Sequence, residues 1–232
     1  MPSFANDLWN QIAGLPKDFA SFPDQEFDDG LFDSFDTYLA NDVVVGPSGW
    51  IVDSVTVQVE ASMPAAISNI HTAKLNVFQN PGGETTPKTT DNPVNGTVVS
   101  VIVTPVAGNS SGFFITASGL NLGLGGGEYW IDLTPIGGIA AAGESLEDYS
   151  PNNAAGALLG TAARNTGGGY AFPTGTDWGT LQNENKNVSP QYGAIDIQGA
   201  LAPEPATFVL VGAGFAALLV KKRLTKATEL TE

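Results

Sequence analysis

The stretch from Trp50 to Glu60 reads WIVDSVTVQVE, and it decides the fold class. From Ser54 onward apolar and polar residues alternate, which is the period of a β-strand that buries one face. The alternation predicts Val55, Val57 and Val59 on the buried face, and Thr56, Gln58 and Glu60 facing water. No segment before residue 206 has the pattern of a long amphipathic helix, so strands are expected to carry the fold.

Further runs of β-branched and aromatic residues follow, each bounded by Gly, Pro, Asn or Ser. The runs are Lys74–Gln79, Thr97–Val103, Phe113–Ala117, Tyr129–Leu133 and Ala194–Gln198. Short strands separated by turn residues are typical of antiparallel sandwiches and jelly rolls. The sequence therefore predicts an all-β protein in which residues 36–200 form one antiparallel, jelly-roll-like β-sandwich.

Between Gly137 and Gly169 lies a stretch that is rich in Ala, Gly and Asn. Its length predicts a long surface loop, in which residues 154–163 could form one or two helical turns. Loops longer than about 12 to 15 residues are usually functional or disordered. Binding residues are therefore expected in this part of the chain.

Residues 1–35 form an acidic segment whose aromatic residues follow no clean period. The segment is predicted to be irregular and to pack its aromatic side chains on the sandwich. The run DQEFDDG at 24–30 has acids at alternate positions, but its glycine and its twelfth residue do not fit an EF-hand loop. A structural Ca²⁺ ion on Asp28, Asp29 or Asp33 and a solvated acidic loop both stay open, and no other cofactor is expected.

The charge and composition exclude several function classes. The 232 residues include 24 acidic and 9 basic side chains, for a net charge of −15. Nucleic-acid binding depends mainly on Lys and Arg at phosphates, so DNA and RNA are not expected as partners. Cysteine is absent, which excludes disulfides, thiolate metal sites and cysteine nucleophiles. His71 is the only histidine, and its place before a strand predicts a surface position.

The C-terminus joins three parts in a fixed order, within a tail of residues 201–232. They are Pro203, Glu204 and Pro205, then an apolar run from Phe208 to Val220, then the basic cluster Lys221, Lys222 and Arg223. As a helix, residues 206–220 would span roughly 22 Å, which is less than the roughly 30 Å of a bilayer's hydrocarbon core. The pattern predicts one short hydrophobic helix, with the basic cluster on the cytoplasmic side. So short a span fits a transient processing signal better than a permanent anchor.

This arrangement resembles the PEP-CTERM sorting signal of Gram-negative bacteria, whose carriers are exported and processed by the membrane protease exosortase. The resemblance covers residues 203–223, and the extension over residues 224–232 departs from it. It implies an exosortase-type protease as a partner, a transient stay in the inner membrane, and a final place at the cell surface or outside the cell.

The body of the chain is also similar to the β-sandwich domains that often precede such tails. The segments that match are Asn41–Val45, Gly49–Ile51, Gly127–Trp130 and Arg164–Gly169. No catalytic residues are implied by this similarity.

The start of the chain lacks the basic and apolar parts of a secretory leader, which favours a cytosolic start. Ser3 and Ala5 have the spacing of a cleavage site, which favours a leader upstream of Met1.

These features predict an exported, non-enzymatic protein of the cell surface or extracellular matrix, associated with biofilm or exopolysaccharide. One alternative is a carbohydrate-binding module that stacks exposed aromatic rings on sugars. The candidate rings are Trp50, Trp130, Trp178, Tyr170 and Tyr192. A second alternative is a secreted hydrolase, which would need a convergent polar cleft. No pair of carboxylates stands out for such chemistry, so an enzyme is not expected.

Overall fold

The computed structural model of the chain describes residues 6–12, 21–28, 30–61, 67–137, 145–150, 161–166, 177–180 and 192–203. These residues form β-strands and three short 3₁₀ helices, and no α-helix occurs among them. In chain order the strands are β1 (Asn6–Asn10), β2 (Ser21–Pro23), β3 (Thr37–Val45), β4 (Trp50–Ala61), β5 (Thr72–Gln79), β6 (Thr97–Pro105), β7 (Gly112–Leu124), β8 (Gly127–Ile136), β9 (Ser145–Ser150), β10 (Thr161–Asn165), β11 (Gly179–Thr180), β12 (Tyr192–Gly193) and β13 (Ile195–Leu201). The 3₁₀ helices are η1 (Asp33–Phe35), η2 (Ile67–Asn69) and η3 (Pro93–Asn95).

Ten of these strands form one continuous antiparallel sheet that curls into a half-barrel. Their order is β1-β13-β4-β7-β6-β5-β8-β3-β10-β11. Strand β9 lies beside this path and pairs with β2, β12 and the end of β4. The prediction of an all-β, antiparallel protein is therefore confirmed.

Strand β6 divides its pairing between two neighbours and so makes the turn of the half-barrel. Its residues 97–100 pair with residues 72–75 of β5. Its residues 101–105 pair instead with residues 113–117 of β7. Both neighbours continue past these pairings, β5 to Gln79 and β7 to Leu124. A gap therefore separates the far ends of β5 and β7, and this gap positions the groove described below.

The main core lies on the concave side of the curled sheet. Val55, Val57 and Val59 of β4 are buried there, as the alternation in the sequence predicts. They share one cluster with buried residues of β7, β8 and β13, including Ile115 and Ile195. The prediction that Gln58 faces water is wrong, because its exposed fraction is 5%. Alternation separates the two faces of a strand, but it does not reveal whether the second face is covered.

The stretch between Gly137 and Gly169 is not simply a surface loop, since it contributes two strands. Thr161–Asn165 forms β10, which pairs with residues 37–41 of β3. Ala162 and Ala163 of this strand are fully buried. Small alanines lack the β-branched signal of a strand, yet Ala162 leaves room for the large side chains of Trp130 and Trp178 in the same cluster. Helical turns were predicted over residues 154–163, of which 161–163 are strand and the others lie outside the described residues.

The acidic entry segment also contains a strand where an irregular path was predicted. Asn6–Asn10 pairs with β13 across a register shift between Asp7 and Trp9. Trp9 belongs to the main core and is 2% exposed. The shift offsets the two-residue period, which explains why this strand leaves no clean pattern in the sequence.

Two isoleucines on neighbouring strands allow a matched test of this architecture. Ile115 is fully buried on β7, whereas Ile102 on β6 has 62% of its surface exposed. Replacing Ile115 with Ala should lower the free energy of unfolding by about 2 to 5 kcal/mol, because a cavity is left in the core. Ile102→Ala should change it by less than about 0.5 kcal/mol. Urea unfolding of both variants checks this, and equal losses would contradict the assignment of the two faces.

Candidate functional site

The convex side of strands β3, β8 and β5 carries a second, polar layer of buried side chains. We call this side the outer face. It bears Tyr38, Lys74, Asn76, Trp130, Asp132 and Thr134, all of which are buried. Their neighbours along each strand, such as Leu75 and Ile131, belong to the main core. The outer face is covered by two segments, the entry loop (residues 24–28 and 30–36) and the groove loop (residues 88–96).

Lys74 connects both loops to the sheet. Its ammonium forms an ion pair with Glu26 of the entry loop, and the Lys74 side chain is only 7% exposed. The same Nζ donates a hydrogen bond of 2.9 Å to the carbonyl oxygen of Val94 in the groove loop. Tyr38 Oη donates to Glu26 Oε2 at 2.5 Å. Burial and the charge of Glu26 raise the pKa of Tyr38, so the phenol stays a donor.

Asp132 and Thr134 extend this network towards Asp24. Asp132 Oδ2 accepts from Asn76 Nδ2 at 3.0 Å. Thr134 Oγ1 lies 2.6 Å from Asp132 Oδ1 and 2.7 Å from Asp24 Oδ1. A hydroxyl has one hydrogen, so one of these two short contacts needs a proton from a carboxyl group. Burial raises the pKa of Asp132 to about 7, which makes this residue the natural holder of that proton.

Asp36 closes the entry loop on itself. Its Oδ1 accepts a hydrogen bond of 2.8 Å from the backbone N–H of Phe27. Burial raises the pKa of Asp36 to about 6, and the charges of Glu26 and Asp33 add to the rise. The outer face and the entry loop that covers it therefore hold two carboxyl groups, Asp132 and Asp36, whose pKa burial raises towards neutral pH.

The groove loop is held by side chains of β5 and β10 and by Trp178, which directly precedes β11. Trp178 Nε1 and Arg164 Nη1 both donate to the carbonyl oxygen of Asp91, at 2.8 and 3.0 Å. Asn76 Nδ2 donates to the carbonyl oxygen of Pro93 at 3.1 Å. Together with the hydrogen bond from Lys74 to Val94, four side chains donate to three carbonyl groups of this short loop. Such anchoring fixes the loop at a defined height above the sheet.

Gly96 allows this close approach. A Cβ atom at this position would lie 2.5 Å from Asn76 Oδ1 and 2.6 Å from Lys74 Cγ. Both contacts are shorter than real Cβ atoms tolerate, so any side chain would force the groove loop away from the outer face. The end of the groove loop is therefore adapted to lie directly on the network.

A groove of about 440 Å³ opens between the groove loop and the free end of β5. Leu75 and Val77 of β5 and Leu122 of β7 form its apolar part. Thr90, Asn92, Asn95 and Thr97 form its polar rim, and all four are exposed. The volume is within the usual range for small-molecule sites.

The three tryptophans predicted to stack on sugars do not form an exposed row. Trp50, Trp130 and Trp178 are 5%, 1% and 8% exposed, so that prediction is wrong for these three rings. Trp50 lies in the main core, and Trp178 packs with Trp130 on the outer face. Tyr192 begins β12, and Tyr170 lies outside the described residues.

The acidic residues predicted as Ca²⁺ ligands are not brought together in the described part of the chain. Asp28 and Asp33 are exposed, and Asp29 lies outside the described residues. Within the described ranges no group of three or more His, Cys, Asp or Glu side chains could hold a metal ion. His71 is exposed and directly precedes β5.

Most of the predicted sorting tail lies beyond the described residues. Pro203 is the last residue described and is exposed. Glu204, Pro205, the run from Phe208 to Val220, and the basic cluster Lys221, Lys222 and Arg223 all fall outside. In the ranges that the structure describes, no helix has the length and apolar character needed to cross a membrane.

Sequence reasoning missed the polar network of the outer face. Lys74, Asn76, Asp132 and Thr134 alternate with core residues, and that pattern by itself indicates a solvated face. One signal could have revealed the network. The chain has few basic residues, yet Lys74 lies in one predicted strand and Asp132 in another.

Comparisons of the chain with models of protein families, with curated proteins and with solved structures found no match.

The raised pKa of Asp132 predicts how stability depends on pH. The folded chain binds a proton that an ordinary aspartate releases near pH 4, so the contribution of Asp132 to stability is largest below about pH 4 and is lost as pH rises through 7. Asp132→Asn keeps the side-chain shape without the ionisation. We expect the variant to reduce the loss between pH 4 and 8 by up to roughly 4 kcal/mol.

Urea unfolding at several pH values measures this dependence. Asp53→Asn, an exposed position on β4, is the matched control and should keep the pH dependence of the parent chain. If Asp132→Asn shows that same dependence, Asp132 is not the group that takes up the proton.

Proposed function

We propose that this chain is an exported, non-enzymatic protein of the cell surface or extracellular matrix, sorted through its C-terminal Pro-Glu-Pro signal. The observation that carries the proposal is the order of parts in the tail: Pro203-Glu204-Pro205, the apolar run to Val220, and the basic cluster. A membrane protease of the exosortase type would act on this signal while the run holds the chain in the inner membrane. The folded body would then be released to a biofilm or exopolysaccharide matrix.

The position of the signal relative to the folded part supports this proposal. Strand β13 ends at Leu201, and the backbone N–H of Ala202 still bonds to the carbonyl oxygen of Gly49 at 3.0 Å. Pro203 follows directly and is exposed. A protease at the membrane surface would therefore meet the motif without unfolding the sheet. In this proposal the body is a jelly-roll-like sandwich, and Phe208–Val220 is a short hydrophobic helix.

The buried state of the acidic network supports a non-enzymatic role over a hydrolase. Asp24 and Asp132, whose side chains share Thr134, are both 0% exposed. General acid–base catalysis needs a group within hydrogen-bond reach of the substrate, which a fully covered carboxyl group does not offer. The network therefore fits a structural part better than an active site. The acidic surface likewise argues against nucleic acid as a partner.

The sorting proposal predicts different results for two glutamates of the tail. Glu204→Ala removes the centre of the motif but leaves the apolar run intact, so we expect the chain to insert and then accumulate, unprocessed, in the inner membrane. Glu229→Ala makes the same change beyond the basic cluster and should not affect sorting. Fractionation and immunoblotting of a Gram-negative host that carries an exosortase-type protease measure both. If Glu204→Ala reaches the surface as efficiently as the parent, the sorting function is refuted.

The basic cluster should have a separate role. Replacing Lys221, Lys222 and Arg223 with Gln removes the charges that hold the tail on the cytoplasmic side. We expect weaker membrane retention, seen as more full-length chain in the soluble fraction. Membrane retention equal to that of the parent would contradict this role for the cluster.

A further inference from the structure

The groove beside β5 combines a rigid wall with polar groups that the fold itself does not use. The groove loop is anchored through the carbonyl groups of Asp91, Pro93 and Val94, whereas its side chains at Thr90 and Asn95 make no hydrogen bond to any described residue. Asn92 Oδ1 caps η3 by accepting from Val94 N–H, which leaves the Asn92 amide NH₂ available. A loop fixed by its backbone, with free side chains above a cleft, has the preorganisation that binding sites need.

The charge of the lining limits the chemistry of the ligand. None of the described residues that line the groove is basic, and its one charged residue is Asp91. The chain as a whole carries a net charge of −15. Phosphates, nucleotides and anionic polysaccharides would meet repulsion without any compensating ion pair. An anionic ligand is therefore disfavoured, and Asp91 alone gives the lining no cluster of carboxylates for a cationic one, so a neutral ligand fits the groove best.

The lining also combines hydrogen-bonding groups with an apolar wall. Amide and hydroxyl side chains both donate and accept, which suits a ligand whose own groups are hydroxyls. The apolar side is provided by Val77, Leu122 and Phe78, all half-buried. Phe78 is held by an edge-on contact with Trp178, with ring centroids 5.9 Å apart. A sugar ring offers hydroxyl groups at its rim and C–H groups on its faces, and so matches both parts.

An extended peptide fits the groove less well. The N–H of Asn80 bonds to Glu128 on β8, so the backbone groups of alternate residues, Val77 and Gln79, face the other side of β5. The pairing of β6 with β5 ends at Leu75. Only two residues of this edge, Val77 and Gln79, therefore present their backbone groups to a peptide. That is few for a ligand that binds as an added strand. The polar side chains of the rim offer a ligand more hydrogen-bonding groups than this strand edge does.

From these observations we infer that the groove between β5 and the groove loop is a binding site for a neutral oligosaccharide. This inference goes beyond the sorting of the chain, since it depends only on folded residues before the tail. Sugar binding and sorting are therefore measured separately, and either can fail while the other holds.

The test uses the full chain, purified in a detergent without a sugar headgroup. A set of neutral tetrasaccharides, namely cellotetraose, laminaritetraose, mannotetraose and chitotetraose, is titrated by calorimetry. We expect at least one of them to bind. Asn95→Ala combined with Thr97→Ala should weaken that binding about tenfold, as two lost hydrogen bonds imply. Both residues are exposed, so the melting temperature should hardly change.

Asn6→Ala is the matched control, because Asn6 is exposed on the edge strand β1, five places from β5 in the sheet order. It should bind the sugar as the parent does. The inference is overturned if no neutral tetrasaccharide binds at millimolar concentration, or if the double variant binds with unchanged affinity. Tighter binding of polygalacturonate or of an extended peptide library than of the neutral sugars would also overturn it.

Discussion

The ammonium group of Lys74 is a buried cation, and the outer half of the structure depends on how it is satisfied. Removing a charge from water costs several kcal/mol unless partners replace the lost hydration. Here the partners come from two separate segments, Glu26 in the entry loop and the carbonyl oxygen of Val94 in the groove loop. If either segment moved away from the sheet, the ammonium group would lose one of the partners that replace its hydration. One lysine therefore couples two loops that are far apart in the sequence.

This coupling explains why so acidic a chain has a well-defined outer face. Glu26, Asp36 and Asp132 lie near one another, and their mutual repulsion would favour an open arrangement. Lys74 offsets part of that repulsion, and proton uptake by the carboxyl groups with raised pKa offsets more. The groove benefits from the same interaction, because the hydrogen bond of Lys74 to Val94 helps to position the groove loop, together with the bonds from Asn76, Arg164 and Trp178. Lys74 therefore contributes both to the stability of the outer face and to the shape of the groove.

The sequence was sufficient to predict the strands whose signal comes from apolar periodicity. The valines of β4 are an example, since each occupies the face that alternation assigns to it. Burial of the second face is decided by distant segments, so Gln58 and Lys74 could not be placed from their own strands. The alanines of β10 carry no strand signal in the sequence, and Ala162 is small because it packs beside the large rings of Trp130 and Trp178. The groove depends on where β6 changes partners, which is a property of the whole sheet.

The central claim, that Lys74 holds the groove loop on the sheet, is tested most directly by amide hydrogen exchange in the Lys74→Met variant. The amides of Asn95 and Gly96 are protected by hydrogen bonds within the groove loop, to the carbonyl oxygens of Asn92 and Pro93. If Lys74 holds the loop, these amides should exchange at least about tenfold faster in the variant, while amides of β4 keep their protection. Unchanged exchange at Asn95 and Gly96 would show that the loop is held without the lysine, and would contradict the claim.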